Sequence, residues 1–115
     1  MRILFLILIF TLFANAQEKD FREVFESRYF IFSYRLVENT EDKKVEVGIK
    51  DKDTKRFYVY ETTVFCKQKT ILLISLKEKG KLIGMYDRSP DVIEFRSPAY
   101  YITQKVCGIN FYLEN

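Results

Sequence analysis

The 115-residue sequence contains no histidine and no tryptophan, and it has only four glycines, two prolines and two cysteines. Without histidine, the chain cannot form a Ser-His or Cys-His nucleophile pair or a histidine-ligated zinc site. It contains no Gly-x-Ser-x-Gly elbow, and four glycines are too few for a phosphate-binding loop. A glycosidase-like carboxylate pair would need a substrate cleft, which so short a chain rarely builds. The sequence therefore predicts a protein that is not an enzyme and that needs no cofactor or metal.

A strong excess of one charge is also missing. The chain carries 19 basic and 16 acidic residues, a formal net charge of +3. Proteins that bind nucleic acid through the phosphate backbone usually present a clearly basic face. No block of like charges reaches the length of an interaction tail. The composition predicts no nucleic-acid partner.

One long apolar run stands out, from Ile3 to Phe13, after the basic residue Arg2. Small residues follow at Ala14 and Ala16, and the chain then turns polar, which is the three-part pattern of a cleavable secretory signal. A membrane anchor would need about 20 apolar residues, more than this run provides. We expect residues 1–16 to be removed, leaving 17–115 as a single secreted or periplasmic β domain with no membrane span.

Both cysteines, Cys66 and Cys107, lie in the part of the chain that would be exported. Exported proteins meet oxidising conditions in which a cysteine pair normally closes, and only one pairing is available here. The spacing is not that of a Cys-x-x-Cys redox motif, and there is no histidine to complete a metal site. A structural disulfide between Cys66 and Cys107 is predicted.

Apolar residues alternate with polar ones along most of the chain, as in half-buried β-strands. The predicted strands cover residues 29–37, 45–50, 56–66, 70–77, 82–86, 92–95, 100–106 and 109–113. Before them, Asp20-Phe21-Arg22-Glu23 has a capping-box pattern, which predicts a short N-terminal helix, with an irregular arm as the alternative. Seven or eight short strands with turns at even spacing favour a small all-β, antiparallel β-sandwich of immunoglobulin-like type; a small closed β-barrel is the alternative.

The segment 44–60 joins an alternating strand, Val45-Glu46-Val47-Gly48-Ile49, to a polar turn and then to the aromatic strand Phe57-Tyr58-Val59-Tyr60. This arrangement resembles the paired strands of bacterial immunoglobulin-like domains over about 17 residues. The chain differs from antibody-type domains because it has no tryptophan and its cysteines come late. The resemblance implies a sandwich in preference to a barrel.

Aromatic residues are the one compositional excess, at 17% of the chain. Phenylalanine is expected to fill the core, whereas tyrosine is enriched at protein interfaces because its hydroxyl prefers a wet edge. The candidate binding residues are tyrosines and nearby cations: Tyr58, Tyr60, Tyr100, Tyr101, Lys67, Lys69 and Arg96. We therefore expect a non-catalytic exported binding module for a protein or a cell-envelope polymer. The alternative is a carrier that holds a small ligand in an aromatic-lined barrel interior.

Overall fold

In the computed structural model, which describes residues 18–108, just over half of the described residues form one antiparallel β-sheet. A 3-10 helix, Glu18–Asp20, precedes the sheet, and the helix α1, Pro98–Cys107, follows it. The strands are β1 (Arg22–Glu26), β2 (Phe30–Glu38), β3 (Asp42–Asp51), β4 (Phe57–Phe65), β5 (Thr70–Glu78), β6 (Lys81–Met85) and β7 (Asp91–Val92). The predicted signal, 1–16, and the predicted strand 109–113 lie outside the described residues.

The first six strands pair in chain order from β1 to β6, and the short β7 pairs with β5. β4 occupies one edge of β5, while β6 and β7 share the other edge along different parts of the strand. The predicted all-β antiparallel class is confirmed, with seven strands among residues 18–108. The structure refines the arrangement: short hairpins keep each strand beside the preceding one, so the strands form one sheet, which does not close into a barrel.

Residues 100–106, predicted as a strand, lie in α1, so that prediction is wrong. Ser97 is the N-cap: its side chain accepts a hydrogen bond from the backbone N–H of Tyr100 at 3.2 Å. Pro98 takes the first helical position, where its missing N–H costs nothing, and Gly108 ends the helix with φ of 117°. These end signals outweigh the β propensity of Tyr100, Tyr101 and Ile102.

The predicted N-terminal helix is also wrong, because the segment Arg22–Glu26 pairs with β2 as an edge strand. Its register shifts between Glu23 and Phe25, which marks a β-bulge. Phe21 packs edge-on against Phe57, with ring centroids 5.2 Å apart, whereas Phe25 stacks on Tyr101 of α1. Pairing with β2 thus places an aromatic ring against each face of the sheet, which a two-turn helix could not do.

The core lies between α1 and one face of the sheet. Strand alternation directs Val45 and Val47 into it, while Glu46 between them points to the other face. The buried apolar side chains of this core are Val45, Val47, Val64, Ile71, Ile93, Tyr100 and Ile102. The predicted disulfide is confirmed: Cys66, just after β4, bonds to Cys107 at the end of α1, with Cα atoms 5.7 Å apart. The bond therefore fixes the C-terminus of the helix to the sheet.

Candidate functional site

The helix covers only part of its sheet face, and an open groove lies on the remainder. We name it the aromatic groove; it has a volume of about 310 Å³ and is lined by Phe30, Phe32, Ile49, Tyr58, Tyr60 and Leu76. In the sheet register, Ile49 lies between Phe32 on β2 and Tyr58 on β4. Tyr60 is likewise paired with Leu76 on β5. Four strands thus supply neighbouring side chains on one face.

The groove continues the stripe of residues that forms the core. On β3, Val45 and Val47 lie under the helix, and Ile49, two positions further on, lies in the groove. Partners in an antiparallel register project to the same face, so the same continuity holds on β2 and β4. Within residues 18–108, α1 does not extend over this part of the apolar face, which leaves the groove open.

Tyr60 gives the groove its clearest polar feature. Its ring lies 6.1 Å from that of Tyr86, which follows β6. Burial, and then a hydrogen bond with the Tyr86 hydroxyl, raise the pKa of Tyr60 above the ordinary tyrosine value. The Tyr60 hydroxyl is therefore protonated at neutral pH, so it adds a hydrogen-bonding group but no charge.

Two opposite charges beside Tyr58, at the rim of the groove, neutralise each other. Arg56 donates to the two carboxylate oxygens of Glu78 at 2.7 and 2.6 Å, and its guanidinium lies 5.3 Å from the Tyr58 ring centroid. The hydrogen bond from Arg56 lowers the pKa of Glu78, and the reciprocal bond raises that of Arg56. Because both groups stay charged and paired, this rim offers neither a free anion site nor a proton donor.

A column of aromatic rings connects the groove with the loop before α1. Three contacts in it are stacked, with centroids 4.9 to 5.2 Å apart, and two are tilted, at 5.8 and 6.3 Å. In order from the loop, the rings are Phe95, Tyr100, Tyr101, Phe25, Phe32 and Phe30. The rings of Phe30 and Phe32, which line the groove, are therefore held in position by the packed rings next to them.

Of the predicted binding residues, only Tyr58 and Tyr60 line the aromatic groove. Tyr100 is buried in the core, and Tyr101 stacks between Tyr100 and Phe25, so both tyrosines hold α1 in place.

The predicted cations lie elsewhere. Lys67, in the turn between β4 and β5, forms an ion pair with Glu41 at 3.1 Å. Lys69, in the same turn, has φ of 57°, and Arg96 stacks over Phe95 at 5.2 Å. None of these three side chains lines the groove. The seven residues do not form a common surface.

Sequence reasoning missed Phe30, Phe32, Ile49 and Leu76 as site residues. The alternation of apolar residues placed Phe30 and Phe32 on one strand face, which was a usable signal. The pattern could not show how much of this face the helix would cover. Long apolar side chains at one end of such a face are therefore assigned to the core by default.

Comparison of the chain with protein families, with curated proteins and with solved structures gave no match. Across residues 18–108, no group of three or more His, Cys, Asp or Glu residues could hold a metal ion. That same span contains no helix long and apolar enough to cross a membrane.

Proposed function

We propose that this protein is a non-catalytic, exported binding module that holds a partner protein at the aromatic groove. The observation that supports this most directly is the groove itself: six apolar side chains, four of them aromatic, on a sheet face left open by α1. Aromatic side chains are enriched at the centres of protein interfaces, where a few of them carry most of the binding energy.

The size and charge of the groove favour a protein segment as its occupant. A volume of about 310 Å³ lies at the small end of ligand sites and suits one or two large apolar side chains of a partner. The paired Arg56 and Glu78 leave no net charge to attract an anionic ligand. The Tyr60 and Tyr86 hydroxyls can exchange hydrogen bonds with a partner backbone.

The carrier function has less support. A carrier with an aromatic-lined barrel interior encloses its ligand, whereas the described strands form an open sheet.

Export is supported by two independent features. One is the signal-like pattern of residues 1–16, and the other is the Cys66–Cys107 disulfide, which is consistent with an oxidising compartment.

The test is photo-crosslinking in the cells that produce the protein. A photoreactive phenylalanine replaces Phe30, which is 38% exposed at the groove. We expect a discrete protein adduct from this position, and we expect Leu76→Asp in the same chain to abolish it. The matched control carries the photoreactive residue at Val37, which is 50% exposed and lies outside the groove.

Three outcomes would contradict the proposal: no adduct from position 30, the same adduct from position 37, or an adduct that persists with Leu76→Asp. Native mass spectrometry of the purified protein distinguishes the binding module from the carrier alternative. A small molecule that stays bound to the wild type and is absent from Leu76→Asp would favour the carrier. N-terminal sequencing of the exported protein tests the predicted start at Gln17.

A further inference from the structure

Two pairs of tyrosine rings are in contact within residues 18–108, and they meet in different ways. Tyr100 and Tyr101 are stacked, with ring planes only 6° apart and centroids 5.1 Å apart. Tyr60 and Tyr86 have centroids 6.1 Å apart and planes inclined by 33°, and their hydroxyls are hydrogen-bonded. Two phenols hydrogen-bonded end to end would have centroids farther apart than this. The rings of Tyr60 and Tyr86 therefore lean toward each other, which brings together the ring carbons beside their hydroxyls.

A glycine in β6 makes room for this contact. Tyr60 is paired with Leu76 on β5, and Leu76 with Gly84 on β6, so these residues form one row across the sheet. A Cβ atom at Gly84 would lie 3.8 Å from the hydroxyl oxygen of Tyr86 and 4.0 Å from the ring carbon that carries it. Gly84 does not have a positive φ, so its backbone does not call for glycine. We attribute the glycine to the close approach of the Tyr86 ring, which lies where a larger side chain would stand.

The Tyr60–Tyr86 pair is also accessible to a dissolved oxidant. Tyr60 lines the open groove, and both residues are only half-buried. The disulfide is consistent with an oxidising compartment. Tyr100, in contrast, is buried, and a stacked pair would have to turn its rings before their edges could meet. Access and ring orientation thus both favour reaction at Tyr60 and Tyr86.

We propose that Tyr60 and Tyr86 form an oxidative modification site, at which hydrogen peroxide and a haem peroxidase join the two rings in a dityrosine bond. Each phenol gives up one electron and its hydroxyl proton, and the peroxide takes up both electrons and both protons to become two molecules of water. The two tyrosyl radicals combine through the ring carbons beside their oxygens, which forms one carbon–carbon bond. The hydrogen on each of those carbons then moves to the oxygen and restores the phenol. The product has two hydrogen atoms fewer than the unmodified protein.

The bond ties β4 to the residue that follows β6, across β5 between them. Because the two rings are already in contact, coupling within one molecule is faster than coupling between molecules. The reaction needs no partner at the aromatic groove. The photo-crosslinking test of the groove uses no peroxide, so its result is independent of this site.

The test is to treat the purified protein, with its disulfide intact, with hydrogen peroxide and a haem peroxidase. Protease digestion and mass spectrometry identify the linked peptides, and dityrosine fluorescence gives the yield. We expect a monomeric product in which the peptides of Tyr60 and Tyr86 are joined, at a yield that does not change with protein concentration. Tyr60→Phe and Tyr86→Phe should each abolish this product. Tyr58→Phe, on the same face of β4, is the matched control and should retain it.

Substitutions at Gly84 test the geometry of the site. Gly84→Ala adds a Cβ at an ordinary contact distance and should keep the rate of coupling. Gly84→Leu places a larger side chain where the Tyr86 ring lies. It should slow coupling at least about tenfold, because misplacing reacting groups by about 1 Å can cost about a hundredfold in rate. Equal rates in these two variants would contradict the proposal. The absence of a bond between Tyr60 and Tyr86, or dityrosine formed only between molecules or at Tyr100 and Tyr101, would overturn it.

Discussion

The covered and open halves of one sheet face differ in the kind of apolar side chain they carry. Under α1, β3 and β4 present small β-branched residues, among them Val45, Thr62 and Val64. In the open half the same two strands present larger side chains, Ile49, Tyr58 and Tyr60. Small branched side chains let a helix approach the sheet closely, whereas tyrosine keeps its hydroxyl in contact with water. On these two strands, side-chain size thus distinguishes the covered half of the face from the open half.

The largest expected effect comes from removing the bond that holds the covered half together. We expect the double variant Cys66→Ala/Cys107→Ala to lose about 4 kcal/mol of stability, because the bond closes a long loop in the unfolded chain. The two residues are 41 positions apart. Denaturant unfolding of the oxidised protein and of the variant measures the difference. A loss below about 1 kcal/mol would show that α1 is held by packing alone.

The next largest loss of stability is expected from disturbing the packing of α1. Ile102 is only 1% exposed, so Ile102→Ala leaves a cavity between helix and sheet and should cost about 3 kcal/mol. The control is Lys105→Ala on the exposed side of the same helix, which should change stability by less than about 0.5 kcal/mol. Unfolding curves of both variants test the comparison. Similar losses in the two variants would contradict the assignment of the core.

A disruptive substitution in the open half of the sheet face should affect binding more than folding. Leu76 is half-buried in the groove, so Leu76→Asp should lower stability by only about 1 kcal/mol. It should weaken capture of the groove partner at least about tenfold, because a carboxylate would be desolvated at the contact. Thermal unfolding and crosslinking yield are measured on the same preparation. A variant that unfolds as readily as Ile102→Ala would place Leu76 in the core instead.

The smallest effect concerns the pH dependence of the groove. The pKa of folded Tyr60 is raised above the ordinary value of 10.0 by burial and by its bond with Tyr86. The unfolded chain therefore loses this proton first, and the stabilisation, complete below pH 10.0, disappears as pH rises through the folded pKa. As the pH rises above 10.0, the Tyr60→Phe variant should lose less free energy of unfolding than the wild type.

Near neutral pH, Tyr60→Phe should differ from the wild type by only about 0.5 kcal/mol, the net value of one partly exposed hydrogen bond. Unfolding measured across the alkaline range tests both statements. Parallel curves for the two proteins would show that Tyr60 has an ordinary pKa.

Much of the sheet could be predicted from sequence, because alternation is a local property. Val45, Val47 and Ile49 mark β3 without reference to any other strand, and the lone cysteine pair had only one way to close. The helix was missed because Tyr100, Tyr101 and Ile102 have β propensity. The signals at its ends, Ser97-Pro98 and Gly108, were nevertheless visible in the sequence.

The site was predicted only in part. Tyr58 and Tyr60 share a face by alternation, and that pairing is present in the groove. Grouping them with Tyr100 failed because Tyr100 lies on α1, which buries its ring against the sheet. The extent of the groove depends on how much of the sheet face α1 covers, which is a property of tertiary packing. No local pattern along a strand contains that information.

The disulfide also bears on the order in which the molecule assembles. The contacts of the sheet join consecutive hairpins and are local in sequence, whereas α1 must pack on β1 and β2 at the far end of the chain. Local contacts form faster than distant ones. We therefore expect the sheet to form while the thiol of Cys66 is still free, and the disulfide to close once α1 brings Cys107 to it. In a compartment that oxidises thiols, the closed bond would then distinguish fully folded molecules from those still folding.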